Sequence, residues 1–265
     1  VGVKLNSALQ RIEQANPDLT GVFGDVNWAN KERLPETALV TLLDTFHGVQ
    51  LDPDHVRGDM LGAAYEYLLR EFAEASGKKA GEFYTPPEVS DLMARLAAPQ
   101  PGERIYDPTC GSGSLLIKCA QNVQAQGSNN FAIYGQEQNG STYALARMNM
   151  FLHGIDDARI QWGDTIRNPL HLENDKLLKS EVVVANPPFS LDKWGIEEAA
   201  HDPHGRFTRG LPPRSKGDYA FILHMLVSLS EREGAVCGAA PGRGVTCKAA
   251  KQRGFFSAPS TAPPR

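Results

Sequence analysis

The 265 residues carry 27 Lys or Arg against 31 Asp or Glu, a formal net charge of -4 at pH 7. With 41% hydrophobic and 22% charged residues and no apolar run near the ~18 residues of a bilayer-spanning helix, the composition is that of a soluble globular chain. A protein that grips DNA alone usually carries a basic excess, which this chain lacks, so any nucleic-acid contact is expected to be local or shared with a partner. Cys110, Cys119, Cys237 and Cys247 lack the spacing of a disulfide framework or a zinc site, and Val1-Gly2-Val3-Lys4-Leu5 does not open a signal peptide. A cytoplasmic location, no membrane contact and no metal are therefore expected. The start at Val1 rather than Met is expected to mark a fragment or a processed chain.

Residues 1–78 read as a helical domain, itself incomplete. The segment 36–46 is amphipathic, and in 59–72 Leu61, Tyr65, Leu68, Leu69 and Phe72 recur at helical spacing, which predicts one core-facing stripe. Residues 76–81 break the pattern as a linker, so a second unit is expected over 79–233. It opens with Glu82-Phe83-Tyr84-Thr85-Pro86-Pro87 and a helix from about Val89 to Ala98. Thr85 is the expected N-cap and Pro86 the first helical residue. Phe83 and Tyr84 form either a hydrophobic staple or a wall against a flat ligand.

A strand, a glycine loop and a helix start follow from Arg104 to Ile117. The loop holds Gly111 and Gly113 but Leu116 where a dinucleotide-binding loop places its third glycine. Asp107 at its head would repel a pyrophosphate, yet suits an ammonium or sulfonium group. The next strand, 131–135, ends near Glu137, a position that commonly binds ribose hydroxyls. A helix over 141–153 should bury Ala144, Leu145, Met148, Phe151 and Leu152. A third strand, 159–164, ends in Asp164, which either reads a ligand's exocyclic amine or caps the turn that follows.

The fourth strand carries the strongest chemical pattern. The β-branched run at 182–184 reads as a buried strand, and Asn186-Pro187-Pro188-Phe189 stops it. The Asn186 side-chain oxygen and the Pro187 carbonyl offer two acceptors for a planar ring's exocyclic amine, whose lone pair they would turn toward an electrophile. Phe189 is placed to stack on that ring. A strand ended by a rigid turn is the alternative. Between His201 and Gly217, Arg206, Arg209, Arg214 and Lys216 stand with Asp202 as the one acid, in either a solvated loop or a phosphate-contacting one. In the helix after Gly217, Phe221, Ile222, Met225, Leu226 and Leu229 are expected to face inward. Beyond Glu233 there is no Asp or Glu, and Gly, Ala and Pro crowd the chain. The stretch 235–241 sits where a fifth strand is due with poor β-forming content. Residues 234–265 are therefore expected to be an out-of-frame or artificial ending, with a divergent natural tail as the alternative.

Taken in order, GEFYTPPEV, DPTCGSGSLL, the acid of YGQEQN, Gly163-Asp164, NPPF and GDYAFILHML resemble the catalytic (modification) subunit of type I restriction–modification systems, a DNA adenine-N6 methyltransferase. The resemblance covers about Leu61 to Arg232. It implies an α/β, Rossmann-like class I S-adenosylmethionine-dependent methyltransferase domain over 79–233. In such a domain Glu82, Phe83, Tyr84, Thr85, Pro86, Pro87, Asp107, Thr109, Cys110, Gly111, Ser112 and Gly113 line the S-adenosylmethionine pocket, Glu137 takes the ribose and Asp164 the adenine end. Asn186, Pro187, Pro188 and Phe189 hold the target adenine, which must leave the duplex to be reached. Implied partners are DNA, a separate specificity subunit that reads the target, a restriction subunit and a second copy of the modification subunit. Such subunits are longer at both ends. Cytosine N4, RNA adenine or a protein glutamine as acceptor, an inactive cofactor- or partner-binding remnant, and an ordinary nucleotide-binding Rossmann protein are the competing readings.

Overall fold

The computed structural model describes residues 1–24, 26–52, 54–56, 58–75 and 84–230, together with the backbone of 234–240 and 244–250. The N-terminal part is helical as expected, with α1 (Gly2–Ala15), α2 (Glu36–Phe46) and α3 (Gly58–Ala75). The predicted core stripe of α3 is only partly covered. Leu69 is buried with Ala73 and Tyr84, while Leu68 is 47% and Phe72 59% exposed. In the same way α2 buries Leu39 and exposes Val40, Leu42, Leu43 and Phe46. The reason is geometric: among the described elements α3 packs mainly on α6, and one such contact line shields a narrower strip than the apolar spacing provides.

Helix α4 (Pro87–Ala97) starts one residue later than proline rules alone suggested, with Pro86 at the N-cap and Pro87 at the first turn. Thr85 does not cap it. Strand β1 (Arg104–Asp107) leads through the glycine loop into α5 (Ser114–Gln124), and β2 (Ala132–Glu137) into α6 (Gly140–Leu152). Gly113 sits at φ 81 as the N-cap of α5, and a Cβ there would meet Met150 Cε at 2.8 Å. Helix α6 is capped by Asn139, whose side chain accepts from the Thr142 N–H. Its buried face is Thr142, Ala144, Ala146, Asn149 and Met150, and Phe151 is exposed, so the expected face is rotated. Asn149 is drawn inward because its Nδ2 donates to the Ser112 carbonyl of the glycine loop at 3.0 Å.

After β3 (Arg159–Trp162) comes a small hairpin, β4 (Leu172–Glu173) and β5 (Lys176–Leu177), that the sequence did not announce. Asn174 and Asp175 make its turn with φ of 51° and 60°, conformations these two residues tolerate. Strand β6 (Val182–Ala185), α7 (Ile196–Ala199), α8 (Asp218–Ser228) and the backbone strands β7 (Gly234–Ala240) and β8 (Gly244–Ala250) complete the order. The buried side of α8 is Ala220, Phe221, His224, Met225 and Ser228; Ile222 is exposed, again a rotation from the expected stripe.

Among the described residues the main sheet runs β3-β2-β1-β6-β7-β8, parallel except for the last pair. Alternation along the strands sends side chains to two cores. Ile105, Ile133, Val182 and Val184 pack with α4, α5 and α6 on one face. Tyr106, Tyr134, Val183 and Ala185 pack with Met225 and Leu229 on the other. Burial on both faces is why β6 is uniformly apolar. Leu116, in place of a third glycine, is fully buried in the first core. Leu116→Ala is expected to cost about 2–5 kcal/mol, read as a lower denaturant midpoint with an unchanged slope.

Candidate active site

The chain passes from β1 outward to β2 and β3, then returns to lay β6 on the other side of β1. This reversal opens a crevice at the carboxyl ends of β1 and β6, the usual ligand position in such sheets. Asp107 ends β1, Glu137 ends β2, and Asn186 follows β6.

Asp107 is 1% exposed, and its Oδ1 accepts from the Thr109 N–H at 2.9 Å. Burial pushes its carboxyl up to about 7, with the Glu137 charge adding to the effect and the Thr109 N–H opposing it. Glu137 accepts from the N–H groups of Gly111 at 3.1 Å and Asn139 at 2.7 Å. Burial still raises its pKa above the ordinary carboxyl range. The same burial raises the Cys110 thiol well above its usual value, so Cys110 is a wall and not a nucleophile.

Asn186 donates from Nδ2 to Thr85 Oγ1 at 3.2 Å. That bond is what Thr85 does instead of capping α4, and it leaves the Asn186 amide oxygen as the acceptor available to the crevice. Asp164 caps its turn, with Oδ1 accepting from the N–H groups of Ile166 and Arg167 at 2.9 and 3.0 Å. Its Oδ2 pairs with Arg167 Nη1 at 2.7 Å and receives Gln138 Nε2 at 3.3 Å.

Two adjoining cavities occupy the crevice. The narrower one is lined by Tyr84, Thr85, Asp107, Thr109, Cys110, Gly111, Ser112 and Asn186, among others. The larger, about 490 Å³, is lined by Thr109, Glu137, Gln138, Asp164 and Asn186, with Ile166, Pro188, Leu191, Trp194 and Phe221 as apolar wall. They share Thr109 and Asn186. Pro86, Pro87, Gly113, Pro187 and Phe189 stand beside the cavities without lining them, and Glu82 and Phe83 lie outside the described residues.

Sequence reasoning missed the layer beneath. Arg206, expected in a solvated or phosphate-contacting loop, is 2% exposed and paired with Asp202 at 2.8 Å. Of its neighbours in that loop, Arg214 is exposed and pairs with Glu197 at 2.8 Å. Burial pushes the Asp202 carboxyl up, but hydrogen bonds from Arg206 overcome this and hold it below its ordinary value. His224, Tyr106 and Thr165 complete the buried set, with His224 Nε2 3.0 Å from the Tyr106 hydroxyl. An apolar-spaced helix containing one His, and one Asp four residues before an Arg, were the only signals in the sequence.

A ligand that is cationic in the middle, carries hydroxyls and ends in a flat ring suits these groups. Among the described residues no ion pair joins a Lys or Arg to Asp107 or Glu137, and burial raises both carboxyls. S-adenosylmethionine has that chemistry, and these residues fit it.

Comparison with known proteins places this geometry. Residues 56–241 match the N-6 DNA Methylase family. The type I restriction enzyme HindI methylase subunit of Haemophilus influenzae is 35% identical over 237 residues, covering 85% of this chain and 51% of that protein. The MpnII methylase subunit of Mycoplasma pneumoniae is 36% identical, covering 80% of this chain and 40% of that protein. The crystal structure of a type I restriction–modification methyltransferase subunit from Streptococcus thermophilus superposes with a TM-score of 0.76 at 35% identity, over 88% of this chain and 51% of that one. A Listeria monocytogenes protein assigned to the class I S-adenosylmethionine-dependent methyltransferases shares the fold, with a TM-score of 0.63 at 16% identity, over 85% of this chain and 64% of that one. The fold is that of the class I S-adenosylmethionine-dependent methyltransferases, an α/β class. The chain belongs to the N-6 DNA methylase family, and it spans about half the length of the curated relatives it matches.

Asp107 links the site to stability. The folded chain keeps this proton up to a pH of about 7, whereas the unfolded chain releases it near the ordinary value of 3.8. Folding stability therefore falls as pH rises through that window. Asp107→Asn should raise the melting temperature of the ligand-free protein, with a gain of up to about 4 kcal/mol at pH 8 and clearly less at pH 5. The same variant should lose affinity for a cationic ligand.

Proposed function

We propose that this chain carries the catalytic centre of a DNA adenine-N6 methyltransferase, with S-adenosylmethionine as methyl donor, in the modification subunit of a type I restriction–modification complex. The observation that carries the proposal is the meeting of the two cavities at Thr109 and Asn186.

S-adenosylmethionine supplies an electrophilic methyl on its sulfonium. Glu137 would hold the ribose hydroxyls, and Asp164 the exocyclic amine of an adenine set between Ile166, Pro188, Leu191 and Phe221. Tyr84, Thr85, Asp107 and Ser112 would enclose the amino-acid end. That division puts the reactive centre at the junction, beside Asn186. The Asn186 oxygen and the Pro187 carbonyl would take the two N–H bonds of an extruded adenine's N6, with Phe189 against its ring. Both acceptors are neutral, so catalysis is positional: it aligns the nitrogen lone pair with the methyl carbon. Unstacking the base costs a few kcal/mol, which stacking in the site offsets in part.

Target reading falls to a partner in this proposal. The net charge is -4, and the basic loop spends Arg206 and Arg214 on internal pairs. A separate specificity subunit is the partner inferred, with a second modification subunit and a restriction subunit in the full complex. Among the described residues no helix is long and apolar enough to cross a membrane, and a cytoplasmic site of action is part of the proposal.

Transfer of labelled methyl to unmethylated DNA, with and without a co-expressed specificity subunit, tests the reading. N6-methyladenine is the expected product, and its absence in both arms overturns the proposal. Glu137→Ala should weaken S-adenosylhomocysteine binding at least roughly tenfold in titration calorimetry, the scale of losing hydrogen bonds to a charged group. Asn186→Ala should slow transfer at least ~100-fold with cofactor affinity nearly intact. Normal transfer by that variant would remove Asn186 from the reacting centre.

A further inference from the structure

We propose that Arg206 is a positioning residue: it holds the turn that carries Asp164 in the geometry needed to recognise an exocyclic amine in the larger cavity. This rests on the cofactor reading above.

Arg206 has five N–H donors, and the fold uses all of them. Nε and Nη2 donate to Asp202 Oδ1 at 2.9 and 2.8 Å. Nη1 donates to the Thr165 carbonyl at 2.9 Å and to His224 Nδ1 at 3.3 Å, and Nη2 also donates to the Ile166 carbonyl at 2.8 Å. No donor remains for a phosphate, although a basic loop beside NPPF invites that assignment.

The two carbonyls it grips belong to residues that line the cavity directly after Asp164. Asp164 Oδ1 is bound to the N–H of Ile166, one of the gripped residues. The direction of the carboxylate and the pose of the 164–166 turn are therefore one mechanical unit. Thr165 extends the unit, since its hydroxyl donates to the Pro108 carbonyl at 2.6 Å. Below, burial and the Arg206 charge keep His224 neutral. With Arg206 donating to Nδ1, the His224 proton sits on Nε2 and faces the Tyr106 hydroxyl of β1. Arg206 thus ties the β3 turn to α8, to β1 and to the 202–207 loop. A planar fork can reach two successive carbonyls and a carboxylate at once; a lysine ammonium cannot.

The test compares binding of S-adenosylhomocysteine with S-inosylhomocysteine, which lacks the exocyclic amine, by titration calorimetry on the full chain. The parent should prefer the adenosyl ligand roughly tenfold or more, as expected of a site built to bond that amine. In Arg206→Lys the ratio should fall toward one. A purely structural arginine would weaken both ligands in parallel and leave the ratio unchanged, which overturns the proposal alone. A parent with no preference overturns the Asp164 reading and the proposal together. Should Arg206→Lys fail to fold, Asp202→Asn, which keeps side-chain size while loosening the grip on the guanidinium, is read on the same ratio with the same outcomes.

Discussion

The site depends on β6 lying next to β1. Ile105 pairs with Val182 and Tyr106 with Val183, so the two strands run out together and their successors, Asp107 and Asn186, flank one crevice. Parallel pairing makes this possible only because both faces of β6 are covered, by α4–α6 on one side and α8 on the other. The unbroken Val-Val-Val-Ala of β6 therefore positions the site as well as filling the core.

Electrostatics at the crevice run against stability. Asp107 and Glu137 are both raised by burial, and among the described residues no cation relieves them. A fold selected for stability alone would carry neutral groups here. The arrangement suits a cationic ligand that would complete the charge balance. Beneath it, Arg206 shows the opposite solution, a buried charge matched on every donor within the chain.

Strand ends and the glycine loop were legible in the sequence because they use local rules. Asn-Pro-Pro ends a strand, and Gly113 is required by a positive φ. Helix limits were also legible: α2 spans 36–46 as the periodicity predicts. Helix faces were less so. In α6 and α8 apolar spacing pointed to stripes that the fold rotates, since Asn149 and His224 are pulled inward by hydrogen bonds that hydrophobicity does not encode. The bond between Thr85 and Asn186 spans 101 positions of sequence and joins two motifs that each looked complete alone. Strand β7 is the converse case. The backbone of 234–240 takes the parallel place beside β6 where a fifth strand was due, despite poor β propensity, and the family match runs to 241.

That long-range bond between Thr85 and Asn186 also fixes which end of the Asn186 amide faces the crevice. Thr85 lines the narrower cavity, and its hydroxyl accepts from the Asn186 amide. An amide has one oxygen and one nitrogen end, and only the oxygen can accept an amine's hydrogen. With the nitrogen held by Thr85, the oxygen is the end left to accept from a ligand in the crevice.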